Sequence, residues 1–112
     1  MLNLNQYQND ALETAIYPGR GEFTGLMYLG LGLTGESGEI TDHIKKGWRD
    51  DGGEILPGRR HELKLELGDC LWYIAILASE LGYSLEDIAK ANTEKLFSRK
   101  RRGTLGGSGD NR

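Results

Sequence analysis

Cysteine is all but missing from this chain of 112 residues: Cys70 stands alone, so no disulfide can close within it. A lone thiol inside the apolar run CLWYIAILA reads as a small core residue in a reducing cytosol. No apolar run approaches the roughly 20 residues that would span a bilayer, which excludes a membrane-spanning helix. The opening MLNLNQYQND has neither the basic start nor the apolar middle of a secretory signal, so the protein is expected to stay in the cytoplasm. Period-2 alternation of β-branched residues is absent too, which excludes a sheet and leaves an all-α fold. At this length one core, and so one domain, is expected.

Excess positive charge is lacking as well. The net charge is −3, and the imbalance is uneven: residues 99–112 carry five basic residues and one acidic, whereas residues 1–98 carry nine basic against sixteen acidic. A binder of duplex nucleic acid needs a broad positive face, and an acidic body of −7 argues against one. The division suggests a helical domain over 1–98 and a basic, glycine-rich tail over 99–112.

What the chain has in quantity is glycine, 17 residues of it, and helical periodicity. Tyr7, Ala11 and Ala15 form a stripe on a first helix over about 5–16, which YPGRG ends. A second helix covers 23–47 despite Gly25, Gly30, Gly32, Gly35 and Gly38; glycines at that density imply that another backbone or a ligand comes close. A polar connector is expected over 47–60. The third helix starts between Arg59 and Glu62 and runs to about Leu81, with Leu63, Leu67, Leu71, Ile74, Ala78 and Leu81 on one face and Gly82 as its stop. Ser84 to Asp87 reads as a capping box for a fourth helix to about Arg101, and GTLGGSGDNR reads as flexible. The predicted architecture is a four-helix bundle.

Carboxylates interrupt this pattern. On the second helix, Glu36 falls on the stripe of Leu33, Ile40 and Ile44, with Glu39 three residues on. On the third helix, Glu62, Glu66, Asp69 and Tyr73 form one stripe that runs into the uncharged segment 70–78. A segment with no charge on any side is expected to be buried all round, which carries Asp69 inside and leaves its carboxylate needing a partner. Two acidic pairs facing each other repel unless protons, arginines or a metal intervene. Four oxygen donors without His or Cys suit a hard ion, Mg²⁺ or Mn²⁺, rather than zinc, and Mg²⁺ ordinarily completes its shell with water and substrate phosphates. Either pair taken alone is also what a solvated acidic helix face looks like, and spacing leaves both readings open.

GESGE followed by ELGDCLWY resembles the E-x-x-E and E-x-x-D signature of the MazG-type all-α nucleotide pyrophosphohydrolases, and the likeness extends from NQYQNDALETA to ANTEKL. The resemblance implies that Glu36, Glu39, Glu66 and Asp69 are metal ligands. It further implies hydrolysis of a nucleoside or deoxynucleoside triphosphate between the α and β phosphates, giving the monophosphate and pyrophosphate, as in house-cleaning of nucleotide pools. Gly35 departs from the pattern, since many such proteins have a further glutamate there. Glu36 or Glu39 would serve as the base for water, with Glu39 favoured. The resemblance carries Asn92 and Lys95 over as substrate contacts and implies a homodimer or a dimer of dimers. Tyr73 and Trp48 are candidates to stack on a base, Trp72 is expected in the core, and His43 is expected to be a surface histidine. A rival of another kind is a non-catalytic helical module whose acidic face binds a basic protein.

Overall fold

A computed structural model describes all of residues 1–112. The chain is four helices and no strand: α1 (Leu4–Glu13), α2 (Phe23–Asp50), α3 (Pro57–Glu80) and α4 (Leu85–Arg102). Each start has a local cause. Asn3 caps α1 by accepting from Gln6 N at 2.8 Å, Pro57 sits in the first turn of α3 where its missing N–H costs nothing, and Ser84 with Asp87 forms the expected capping box on α4. The acidic first turn and basic last turn of α4 both complement the helix dipole.

α2 and α3 pack along each other as a long hairpin, α1 lies against α3 and α4, and α4 does not reach α2. Ala11, Ala15, Leu29, Ala75, Ile76 and Leu85 make the core, with Tyr7, Leu12, Tyr17, Trp72, Tyr73 and Leu77 around it. These residues gather where the start of α2, the end of α3, α1 and the first turn of α4 meet. The opposite end of the hairpin has no such core. There Arg59 Nε donates to Asp51 at 2.8 Å, and His43 Nδ1 lies 3.3 Å from Arg59 Nη1 and 3.4 Å from Glu62.

Several boundaries differ from the sequence reading. α1 stops at Glu13 rather than near residue 16, because the Thr14 hydroxyl turns back to Ala11 O at 2.9 Å and Pro18 follows. α2 continues through Gly47 to Asp50. That glycine is not a stop but a point of close approach, where a Cβ would lie 2.9 Å from Glu54 O. The connector therefore shrinks to 51–56, turned by Gly52 and Gly53 at φ 70° and 81°.

Of the other α2 glycines, Gly25 and Gly32 are explained within the chain: a side chain would strike the Gly19 backbone at the first and the Tyr73 ring at the second. Gly30, Gly35 and Gly38 face open space. The segment 70–78 is not buried all round, since Leu71 and Ile74 are each 38% exposed. The tail is not loose either. Residues 99–102 belong to α4, and the rest folds back on that helix, where Arg112 donates to Thr104 O, Leu105 O and Gly109 O.

Helical fold and open surface go together here. The radius of gyration is 16.8 Å, against about 13 Å for a compact domain of this length. Phe23, Leu31, Leu65, Leu67 and Phe97 are all more than half exposed.

The turn between α1 and α2 is tied down by one pair. The Tyr17 hydroxyl donates to Glu80, which also accepts from Gly21 N at 3.0 Å, and the Tyr17 ring stacks on Tyr28. The Tyr17 hydrogen bond, then the Gly21 N–H, holds Glu80 below the usual carboxylate range. Burial, then Glu80, pushes the Tyr17 phenol up to about 12. A lowered carboxyl pKa contributes stability present above the unfolded value and lost as pH falls through the folded one. A raised phenol pKa contributes stability lost as pH climbs from about 10 towards 12. Tyr17→Phe is expected to cost about 1–2 kcal/mol at neutral pH and to shrink both pH trends, measured by denaturant melts across pH.

Candidate metal and nucleotide site

The α2–α3 seam dictates the site. With Gly32 beneath Tyr73, the next turn of α2 sets Glu36 opposite the turn of α3 that carries Glu66 and Asp69. One carboxylate oxygen from each of these three residues can be chosen so that all lie within 4.8 Å of one another. Glu36 and Glu66 are half-buried and Asp69 is exposed, so the expected passage of Asp69 into the interior is not found in the single chain.

Electrostatics register this crowding. The Glu36 carboxyl is held above its ordinary range, first by desolvation between the helices, then by its hydrogen bond with Glu66, and then by the charges of Asp69, Glu66 and Glu39. Burial also raises Tyr73 and Tyr7, reinforced at Tyr73 by Tyr28 and then by Glu36 and Asp69, and at Tyr7 by Asp69. No lysine or arginine is hydrogen-bonded or ion-paired to the three carboxylates. Three clustered oxygen donors with a carboxyl pushed towards protonation are what a hard divalent cation would relieve, so these residues fit such an ion.

Glu36, Asp69, Trp72 and Tyr73 line an open cleft of about 300 Å³. Trp72, expected in the core, is a wall of this cleft. Its indole N–H donates to Thr14 Oγ1 at 2.8 Å and its ring meets Tyr73 edge to face at 5.0 Å. Its i+3 spacing from Asp69 was the available signal. Tyr73 stands beside the carboxylates as expected. Glu39 lies outside the three-residue cluster and is exposed.

The remaining candidates are elsewhere. Trp48 is 78% exposed on the last turn of α2, about 18 Å along the helix from Glu36. Asn92 is exposed; with Lys95, Ile88 and Ala91 it lines a separate cleft on α4 of about 310 Å³. His43 is not a plain surface residue, its side chain being 15% exposed beside Arg59 and Glu62. Cys70 is buried next to Ser37, as a core thiol should be.

Comparison with known proteins bears on the same residues. The family model described as the MazG nucleotide pyrophosphohydrolase domain matches residues 26–104, a span that contains all three clustered carboxylates. The chain is 46% identical over 114 residues to Gene 37 protein of Mycobacterium phage L5, covering 99% of this chain and 100% of that protein. It is 51% identical over 41 residues to Uncharacterized protein YvdC of Bacillus subtilis (strain 168), covering 37% of this chain and 39% of that protein. No solved structure matches. No helix is long and apolar enough to cross a membrane. A domain match over most of the chain, coinciding with an all-helical fold that assembles the acidic residues of two helices, places this chain in the MazG nucleotide pyrophosphohydrolase family.

Proposed function

We propose that the protein is a Mg²⁺-dependent pyrophosphohydrolase, with Mn²⁺ able to substitute, that converts a nucleoside or deoxynucleoside triphosphate and water into the monophosphate and pyrophosphate in the cytoplasm. The observation that carries the reading is the meeting of Glu36, Glu66 and Asp69 within 4.8 Å at the middle of the hairpin. These three would hold the divalent ion, with Glu39 one turn further along α2 as a fourth ligand or as the base. A bound divalent ion supplies charge compensation for the triphosphate and the departing pyrophosphate.

As the base, Glu39 would orient the attacking water and take its proton. Tyr73, locked over Gly32, would face the nucleoside. Asn92 and Lys95 would contact substrate from α4, and Trp48 would stack on the base. Because α4 does not reach α2 and Trp48 is remote from Glu36, these contacts require a second copy of the chain. A homodimer or dimer of dimers would also cover the apolar faces around Leu67, Leu71, Ile74 and Phe97, each at least 38% exposed in the single chain.

A panel of nucleoside and deoxynucleoside triphosphates tests the reading. The expected product is pyrophosphate, not orthophosphate, from at least one nucleotide, abolished by EDTA and by Glu39→Gln. A non-catalytic acidic module would release none. Light scattering on the same sample should return a mass of two or four chains, and a monomer at working concentration would remove Asn92, Lys95 and Trp48 from the site.

A further inference from the structure

The closing turn of the chain is more elaborate than ending a helix requires. Gly103 at φ 71°, with Thr104 N donating to Arg99 O at 2.8 Å, already terminates α4. Residues 105–112 then return along the helix, reversing at Gly107 and Gly109 with φ of 100° and 86°. Ordering eight residues of glycine-rich chain has a conformational cost, and two arginines oppose it. Arg112 donates to Gly109 O at 2.6 Å and also holds Thr104 O and Leu105 O, both at 3.2 Å.

Arg99 is 4% exposed, and its Nη2 faces Asp110 O at 3.0 Å, Asp110 Oδ1 at 3.3 Å and Gly109 O at 3.5 Å. Its Nε is buried without an acceptor, so the guanidinium is turned to serve the loop rather than its own full set of bonds. What this framework delivers is one carboxylate oxygen, Asp110 Oδ1, 3.4 Å from Lys95 Nζ.

We propose that Asp110, seated by the buried Arg99, is a positioning residue that holds the Lys95 ammonium over the α4 cleft it shares with Asn92, ready for a phosphate of the nucleotide. This rests on the proposed role of Lys95 as a phosphate contact. A lysine has a flexible four-carbon stem and three N–H donors. One donor spent on Asp110 restricts the stem and leaves two for phosphate oxygens. Fixing a charged group before the ligand arrives lowers the ordering cost of binding, and the effect falls on affinity rather than on the chemical step.

The test is a double-mutant cycle on the full chain: wild type, Asp110→Ala, Lys95→Ala and the pair, with Asp110→Glu as the conservative variant. KM and kcat are read on the nucleotide found in the panel, and binding of inorganic triphosphate in Mg²⁺ buffer is read by calorimetry. Asp110→Ala is expected to raise KM and weaken triphosphate about threefold to fivefold, the scale of one partly exposed ion pair, with kcat within about twofold of wild type. Asp110→Glu should recover most of the loss, and in the Lys95→Ala background Asp110→Ala should add nothing.

Tighter binding in Asp110→Ala would overturn the proposal by making the carboxylate a competitor for Lys95. An equal loss with and without Lys95 would overturn it by reducing Asp110 to a fold contact. If wild type neither cleaves a nucleotide nor binds triphosphate, the functional reading itself fails, and the Asp110 variants are not needed to see it.

Discussion

Replacing Glu66 with glutamine is expected to lower pyrophosphate release about a thousandfold or more while leaving the four helices intact, as read by circular dichroism. Losing one of three carboxylates that would grip the ion forfeits several kcal/mol of charge stabilisation, and each 1.36 kcal/mol is tenfold in rate. The same change should make the metal-free protein more stable, not less. After desolvation, the hydrogen bond and charge of Glu66 help push the Glu36 carboxyl up, so removing that charge relieves part of a repulsion that folding imposes. Melting temperatures in EDTA should therefore rise in Glu66→Gln, while the further rise caused by Mg²⁺ in wild type should disappear.

The accompanying pH trend has a definite sign. A carboxyl raised above its unfolded value binds more protons in the folded state, so metal-free stability increases as pH falls from the raised value of Glu36 to its unfolded value. Mg²⁺ favours the ionised carboxylates and should flatten that trend, checked by melts in EDTA and in Mg²⁺ between about pH 5 and pH 8. Wild-type melts indifferent to both pH and divalent ions would leave the three carboxylates as a solvated helix face.

The second large effect lies away from the site. Gln8→Leu should cost about 3 kcal/mol, lowering the melting temperature by about 10–15 °C for a domain of this size. Gln8 is 7% exposed on α1, and its amide makes three hydrogen bonds to main-chain groups of other elements. Nε2 donates to Ala75 O and to Tyr83 O, both at 3.1 Å, and Oε1 accepts from Leu85 N at 2.9 Å. One residue thus joins α1 to the end of α3, to the turn after it, and to the start of α4. A leucine of similar size fills the space but strands the buried Leu85 N–H at the helix N-terminus and takes the donor from the part-buried Tyr83 carbonyl. Denaturant midpoints measure the loss. A shift under about 1 kcal/mol would mean that α4 docks through Leu85 packing and the Asn5 contacts with Glu86 instead.

Helix number, order and the meeting of three candidate carboxylates were legible because their signals are local. The 3.6-residue stripe of Glu62, Glu66 and Asp69 and the place of Glu36 among Leu33, Ile40 and Ile44 depend only on helix geometry, and the structure brings Glu36, Glu66 and Asp69 together. Gly47 was misleading because a glycine that admits the Glu54 carbonyl looks the same in sequence as one that ends a helix. The burial of Asp69 was over-read for another reason: an apolar stretch says that something covers it, not that the same chain does. Gln8 lies three and seven residues before Ala11 and Ala15, on the buried face of α1 that they mark, but its partners lie 67 and more residues away and left no local trace. Arg99 and Asp110 sat in a stretch whose composition suggests a loose end, and only the geometry of Gly103, Gly107 and Gly109 brings them together.

The α2–α3 hairpin is dry at one end, where Leu29 and Ile76 are fully enclosed, and clasped at the other by the polar set Asp51, Arg59, His43 and Glu62 beside the close approach at Gly47. Such a clasp breathes: amides near the tip will trade hydrogen for deuterium through small openings, whereas those beside Leu29 and Ile76 wait for the whole molecule to come apart. Glu36, Glu66 and Asp69 stand at the border between these two regimes. A cation lodged there would act as a rivet, and its arrival should be felt as slower exchange on the tip side of the border far more than on the dry side.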